Sequence, residues 1–125
     1  MENSHTRRLY KEPNMENYRR WFEQLDQRFA QYIDSLNQEK DVKEVLGVLD
    51  ELSKSFVSLK PLSRMLGTKK IRRYIKKTQE EIKNMCVRSN RIKTTIEGYL
   101  DHLRDSEQIP EEYRGLYQEI RIRLG

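Results

Sequence analysis

A stripe of apolar residues between Met15 and Leu36 constrains the fold of this chain more than any other feature of its sequence. The apolar residues recur three and four positions apart, which places them on one face of an α-helix of about six turns. They are Tyr18, Trp21, Phe22, Leu25, Phe29, Tyr32, Ile33 and Leu36. An amphipathic helix buries such a face against other elements, so the sequence predicts a long helix in a packed core.

Helix start and stop signals divide the rest of the chain. Asp41 followed by Glu44, and Thr78 followed by Glu81, have the spacing of a capping box, in which both side chains bond to backbone N–H groups at a helix start. The other boundaries are marked by Pro61 in a first turn, Gly67 at a helix end, Thr68 as the cap of a short helix over 69–77, and Ile109-Pro110 before the last helix. The sequence therefore predicts an all-α protein, a compact bundle of five to six helices.

A length of 125 residues favours one domain. Residues 1–13 have no apolar period and are expected to form a flexible N-terminal tail. Residues 14–104 are expected to form the helical bundle, and residues 105–125 an additional C-terminal helix packed on it. Self-association through residues 110–124 is the alternative, although small domains usually bury every amphipathic stripe within the chain and a monomer is expected.

Several classes of function are not expected from this sequence. No apolar run approaches the length of a membrane span or of a signal-peptide core. One cysteine, Cys86, and two distant histidines do not have the spacing of a metal site, and a reducing compartment is the expected location. Phosphate-binding glycine loops, serine elbows and metalloprotease motifs are absent from the sequence. We therefore expect a protein without catalysis, metal or cofactor.

The positive charge of the chain is concentrated in one window. Ten Lys and Arg residues lie between residues 68 and 93, against only Glu80 and Glu81. A surface of one sign attracts anionic partners such as nucleic acid or acidic peptides. A solvated helix surface without a partner is the alternative.

Apolar residues lie among these charges in the predicted helix over 69–77. Helical spacing places Ile71, Tyr74 and Ile75 on one face of that helix, and Lys69, Arg72, Arg73 and Lys76 flank it. Two interpretations of Tyr74 follow. It is either a core residue, or it lines a pocket whose rim is cationic.

Two short strings carry a resemblance to a known family. Leu49-Asp50-Glu51-Leu52 is followed by Lys69-Lys70-Ile71-Arg72-Arg73-Tyr74, with Asp41-Val42 before them and Val57 between them. Roughly residues 20–100 resemble the integrase-binding domain of lens epithelium-derived growth factor and its hepatoma-derived-growth-factor-related relative. The resemblance implies a right-handed helical bundle similar to the N-terminal domain of the elongation factor TFIIS, in a nuclear, chromatin-associated protein. It also implies that two interhelical loops bind disordered motifs of nuclear proteins that present acidic residues and a phenylalanine.

The resemblance also implies a set of peptide-binding residues. Tyr74 falls at the edge of the family's peptide pocket, and the basic residues around it match those that attract the motif's carboxylates. In the loop after the first helix, Asn37 or Gln38 stands where the family has an isoleucine, and Gln38 or Glu39 where it has an aspartate. The expected site comprises Leu36, Asn37, Gln38, Glu39, Lys69, Lys70, Arg72, Arg73, Tyr74 and Lys76. The rival prediction is nonspecific binding of nucleic acid by the basic helix over 69–77, as the main function or as an auxiliary DNA contact.

Overall fold

Helices account for every regular element of the described chain. The computed structural model describes residues 13–38 and 41–125, and over these residues it contains five α-helices, two short 3₁₀ helices and no strand. The elements are α1 (Glu16–Gln38), α2 (Val42–Val57), α3 (Lys60–Met65), a 3₁₀ helix (Lys69–Arg73), α4 (Lys76–Asp105), a second 3₁₀ helix (Glu111–Tyr113) and α5 (Arg114–Leu124). The predicted all-α bundle is therefore confirmed. The predicted N-terminal tail lies outside the described residues except for Pro13.

The first two helices begin at side-chain caps, and the one at Asp41 is predicted from the sequence. The Asn14 side chain accepts a hydrogen bond of 2.9 Å from the backbone N–H of Glu16, and the Asp41 side chain accepts one of 3.0 Å from Lys43. These bonds satisfy backbone donors that lack partners in the first turn of a helix. Gly67, just beyond the end of α3, has a φ of 81° and so adopts the left-handed conformation expected of it.

The region after Gly67 differs from the prediction. Residues 69–77 do not form one α-helix: the 3₁₀ helix ends at Arg73, Tyr74 and Ile75 are extended, and α4 begins at Lys76. Thr68 caps the 3₁₀ helix by accepting from the Lys70 N–H at 3.3 Å, as predicted. Thr78 does not begin a helix but lies buried in the first turn of α4. The two helices expected over 69–104 are thus a 3₁₀ turn and one helix of 30 residues.

Helices α1 and α4 run parallel, side by side. Three side-chain contacts between them join residues that are 62 positions apart, namely Arg19 with Glu81, Asp26 with Arg88, and Asn37 with Tyr99. A constant separation over this span means that both helices advance in the same direction for about 27 Å. The bundle therefore has two distinct ends, one at the start of α1 and α4 and the other at their C-terminal ends.

The C-terminal helix packs chiefly on α2. Tyr117, Ile120 and Leu124 of α5 are buried, so the apolar side predicted for this helix is covered within the chain. Arg123 of the same helix pairs with Asp50 of α2 and donates a hydrogen bond of 3.2 Å to the Ser53 hydroxyl. A largely buried charge pair therefore joins the two helices beside the apolar contact.

The Asp50 carboxylate links the stability of this interface to pH. Burial would raise the pKa of Asp50, but hydrogen bonds and charges from Arg123 and Lys54 outweigh it and lower that pKa below its ordinary value. A carboxyl whose pKa is lower in the folded state stabilises the fold fully above its unfolded-state pKa of about 4. That contribution is lost as pH falls through the folded-state pKa.

We expect Asp50→Asn to lower the free energy of unfolding at pH 7 by about 1–3 kcal/mol, because it removes the less exposed of the two carboxylates that pair with Arg123. The deficit relative to wild type should shrink as pH falls below about 4 towards the lowered folded-state pKa of Asp50, because protonation removes the charge that asparagine lacks. Urea denaturation of both proteins at several pH values measures this difference in the free energy of unfolding. Glu51→Gln, at an exposed carboxylate one residue further on, is the control and should change stability by less than about 0.5 kcal/mol. A deficit that stays constant with pH would contradict the assigned role of the Asp50 charge.

Candidate interaction surface

The most concentrated charge on the molecule lies at the end of the bundle where α4 begins. Six basic residues occupy the first 3₁₀ helix and the first turn of α4, and all six are exposed. They are Lys69, Lys70, Arg72, Arg73, Lys76 and Lys77, and we call them the basic segment. The 3₁₀ helix that carries the first four of them has no buried residue and links α3 to α4.

In the described part of the chain, carboxylates do not form ion pairs with the basic segment. Within residues 13–38 and 41–125, no ion pair involves any of its six side chains. Along the chain, no Asp or Glu lies between Glu51 and Glu80. The nearby Glu81 carboxylate is hydrogen-bonded by Arg19, which lowers its pKa, and the more distant charge of Lys77 adds to this effect. The positive charge of the basic segment is thus accessible to an anionic ligand.

The positions of Tyr74 and Ile75 differ from the prediction that both lie on one face of a helix. Both residues are extended, with φ and ψ of −99° and 149° for Tyr74 and −64° and 160° for Ile75. Successive side chains of an extended segment point in opposite directions, whereas in an α-helix they differ in direction by only about 100°. Tyr74 is 4% exposed and belongs to the core, and Ile75 is 61% exposed. The interpretation of Tyr74 as a pocket-lining residue is therefore wrong, and its alternative as a core residue is confirmed.

The backbone around Tyr74 fixes this arrangement. Its N–H donates to the Ile71 carbonyl at 3.2 Å, and its carbonyl accepts a bond of 2.7 Å from the Gln79 side chain in the first turn of α4. These bonds hold the extended link between two helical segments. Ile75, directly after it, is one of four large apolar residues that are exposed in the described chain, and the only one flanked by the basic segment.

The residues expected from the first interhelical loop lie at the other end of the bundle. Leu36 is buried and Asn37 is exposed, and both border a cleft of about 380 Å³. The other residues around it are Val42, Val45, Tyr99, His102, Leu103 and Gln108. The Asn37 side chain accepts a hydrogen bond from the Tyr99 hydroxyl, which closes α1 onto α4 there. Gln38 ends α1 and is exposed, and Glu39 lies outside the described residues.

The structure does not bring the two halves of the expected site together. Leu36 is level with residue 98 of α4, because contacts between α1 and α4 join residues 62 positions apart. The basic segment reaches α4 only at its first turn, so the two groups are separated by about 30 Å along the helix axis. The prediction of a single pocket formed near Leu36 and Tyr74 is therefore wrong. The parallel direction of α1 and α4 is the physical reason.

The exposure of Ile75 was not predicted from the sequence. Apolar residues over 69–77 have helical spacing, and this spacing does not indicate the extended link at residues 74 and 75. One signal was present: four basic residues surround a single apolar one, Ile71, before Tyr74. A segment with so few apolar residues has little to hold it on the core as an α-helix.

The described chain offers few other chemical groups. No group of three or more His, Cys, Asp or Glu side chains among the described residues is arranged to hold a metal ion. Within the same residues, no helix combines the length and apolar character needed to cross a membrane. The one cysteine, Cys86, is buried, and burial raises the pKa of its thiol. The basic segment with Ile75 is therefore the best candidate for a ligand-binding surface in the described chain.

Comparisons with known proteins identify no relative of this chain. No protein-family model, no curated protein and no solved structure matches it. The resemblance to the integrase-binding domain consequently rests on the short strings at residues 49–52 and 69–74.

Proposed function

We propose that this chain is a non-catalytic protein-interaction module that binds disordered acidic segments of partner proteins on the basic segment. One observation carries the proposal: six exposed cations, which form no ion pair within the described chain, lie on both sides of the exposed apolar residue Ile75 along the chain. Carboxylates of a partner would form charge-assisted hydrogen bonds with the cations, and an apolar side chain of the same partner would cover Ile75.

The two kinds of contact have different roles in this mechanism. The cations attract an acidic segment over about 10 Å at moderate salt, and salt weakens this attraction. In this mechanism Ile75, and not Tyr74 as predicted from the sequence, makes the apolar contact with the ligand, because it supplies apolar area that binding removes from water. Covering one isoleucine side chain is worth about 1–2 kcal/mol, which is enough to favour acidic segments that carry an apolar residue over those that do not. The ordering of a disordered segment opposes these gains, so moderate, roughly micromolar affinity is expected.

The cellular setting is part of the proposal. A nuclear, chromatin-associated protein with a bundle similar to the N-terminal domain of TFIIS is supported by the strings at 49–52 and 69–74 alone. Binding of nuclear motifs that combine acidic residues with a phenylalanine suits the basic segment with Ile75. It does not depend on the first interhelical loop, which lies at the far end of the bundle.

A second candidate function is nonspecific binding of nucleic acid. The observation in its favour is that the exposed cations continue along α4 with Lys83 and Arg91, beyond the surroundings of Ile75. An extended positive track suits a regularly spaced phosphate backbone. Ile75 has no role in such a contact, so the two functions are separable by a variant at this residue.

We expect Ile75→Ser to weaken binding of a short Glu-rich peptide with one phenylalanine by about 5- to 30-fold, because it removes the apolar contact. Binding of the same peptide with serine in place of phenylalanine, and of a DNA duplex, should not change. Titrations monitored by fluorescence anisotropy measure all three ligands.

The matched control is Ile122→Ser, which changes an isoleucine that is 74% exposed on α5. It should bind every ligand as wild type does. If wild type binds the duplex more tightly than either peptide and Ile75→Ser changes nothing, the protein is a nucleic-acid binder and the peptide proposal is wrong.

A further inference from the structure

Thr68 presents an exposed hydroxyl directly before the basic segment. It lies outside the α-helices, in the turn that Gly67 makes between α3 and the first 3₁₀ helix. Its hydroxyl donates to the Met65 carbonyl at 2.6 Å and accepts from the Lys70 N–H at 3.3 Å. Both partners are backbone groups, and both bonds are exposed.

Other hydroxyls in the acid-free stretch between Glu51 and Glu80 are less accessible. Ser53 and Thr78 are buried, Ser58 is half-buried, and the half-buried Ser55 accepts a hydrogen bond from Arg28. Ser63 is exposed but lies within α3. Thr68 is thus the one exposed hydroxyl of this stretch that lies outside an α-helix.

The chain after Thr68 can open locally at small cost. The 3₁₀ helix that follows contains no fully buried residue, and its one apolar side chain, Ile71, is only partly buried, so its opening exposes little apolar surface. An enzyme that needs an extended substrate can therefore take up this segment while the rest of the bundle stays folded. Four of the five residues after Thr68 are basic, which suits an enzyme with an acidic substrate cleft.

We propose that Thr68 is a phosphorylation site and that a phosphate there weakens ligand binding at the basic segment. The proposal rests on the proposed function, since it concerns regulation of the same surface. A protein kinase would transfer the γ-phosphoryl group of ATP: the Thr68 Oγ1 forms a bond to phosphorus, the bond to the β-phosphate oxygen breaks, ADP leaves with the electron pair, and the hydroxyl proton passes to solvent.

The effect follows from charge. A phosphothreonine carries about −1.5 to −2 charges at pH 7 and three strong acceptor oxygens. At position 68 it is the first anion in a stretch of chain whose other charged residues are all cations. Lys69, Lys70 and Arg72, one, two and four residues away, are within reach of it and would bind it instead of the carboxylates of a partner. Acidic ligands would then meet a surface with less positive charge.

The experiment uses the full chain. The protein is incubated with nuclear extract and Mg-ATP, and the phosphorylated residue is identified by mass spectrometry. Thr68→Val and Ser63→Ala serve as matched variants. We expect phosphate on Thr68 in wild type and in Ser63→Ala, and none at position 68 in Thr68→Val. The Glu-rich phenylalanine peptide should then bind the Thr68-phosphorylated protein about tenfold more weakly than the unmodified protein.

A further variant separates charge from capping. Thr68→Asn keeps a side-chain oxygen for the Lys70 N–H without adding charge, and should bind the peptide as wild type does. Absence of phosphate from Thr68, or equal affinity of the phosphorylated and unmodified proteins, would overturn the inference. If the unmodified protein does not bind the peptide at all, the proposed function fails, and so does the regulatory effect, whereas phosphate on Thr68 would still establish the modification site.

Discussion

Replacing Arg72 and Arg73 together by glutamate is expected to weaken binding of acidic segments at least about hundredfold while leaving the fold intact. Both side chains are exposed and neither makes an ion pair within the described chain, so stability should change by less than about 1 kcal/mol. The effect on binding is large because each change removes one attraction and adds one repulsion. Repulsion acts both during encounter and in the complex.

A titration with the Glu-rich phenylalanine peptide at low salt measures this loss, and a thermal melt checks the fold. Lys43→Glu combined with Arg114→Glu is the control, since it makes the same change in net charge at two exposed residues outside the basic segment. The control should bind within about threefold of wild type, because salt screens distant charges. Equal losses in both double variants would show that net charge alone governs binding and would remove the basic segment from the mechanism.

The sequence was sufficient for the parts of the fold that depend on neighbouring residues. The apolar stripe of α1 is a local pattern, and Asn14, Asp41 and Thr68 cap helices through bonds to residues two positions away. Such bonds join neighbouring residues, so residue type and spacing indicate where they can form, although Thr78 with Glu81 has the same spacing and lies inside α4. Trp21 shows the limit of this reasoning. It belongs to the stripe but is only half-buried, packed edge-on against Tyr18 with ring centroids 5.4 Å apart.

The candidate site depended on contacts that the sequence does not contain. The expected pocket required residues near Leu36 to meet residues near Tyr74, and this depends on the relative direction of α1 and α4. That direction is set by contacts between residues 62 positions apart, such as Asp26 with Arg88, which no local pattern indicates. The charge of the basic segment, by contrast, was visible from composition, because lysine and arginine side chains in an acid-free stretch stay in solvent wherever the helices lie.

The exchange of roles between Tyr74 and Ile75 has a consequence for stability. Tyr74 is 4% exposed and packs with the core, whereas Ile75 beside it is 61% exposed. Truncation of a buried aromatic side chain leaves a cavity and removes a large apolar contact, and typically costs about 3–5 kcal/mol. Truncation of an exposed aliphatic side chain typically costs less than about 0.5 kcal/mol.

We therefore expect Tyr74→Ala to lower the free energy of unfolding by about 3–5 kcal/mol and Ile75→Ala to leave it nearly unchanged, as measured by urea denaturation at pH 7. Tyr74→Phe keeps the ring and should cost less than half as much as the alanine variant. For ligand binding, we expect the larger effect at the other residue. Ile75→Ala should weaken binding of the Glu-rich phenylalanine peptide, and Tyr74→Ala should bind that peptide with normal affinity once the folded fraction is taken into account. A stable Tyr74→Ala that loses peptide binding would return Tyr74 to the ligand surface.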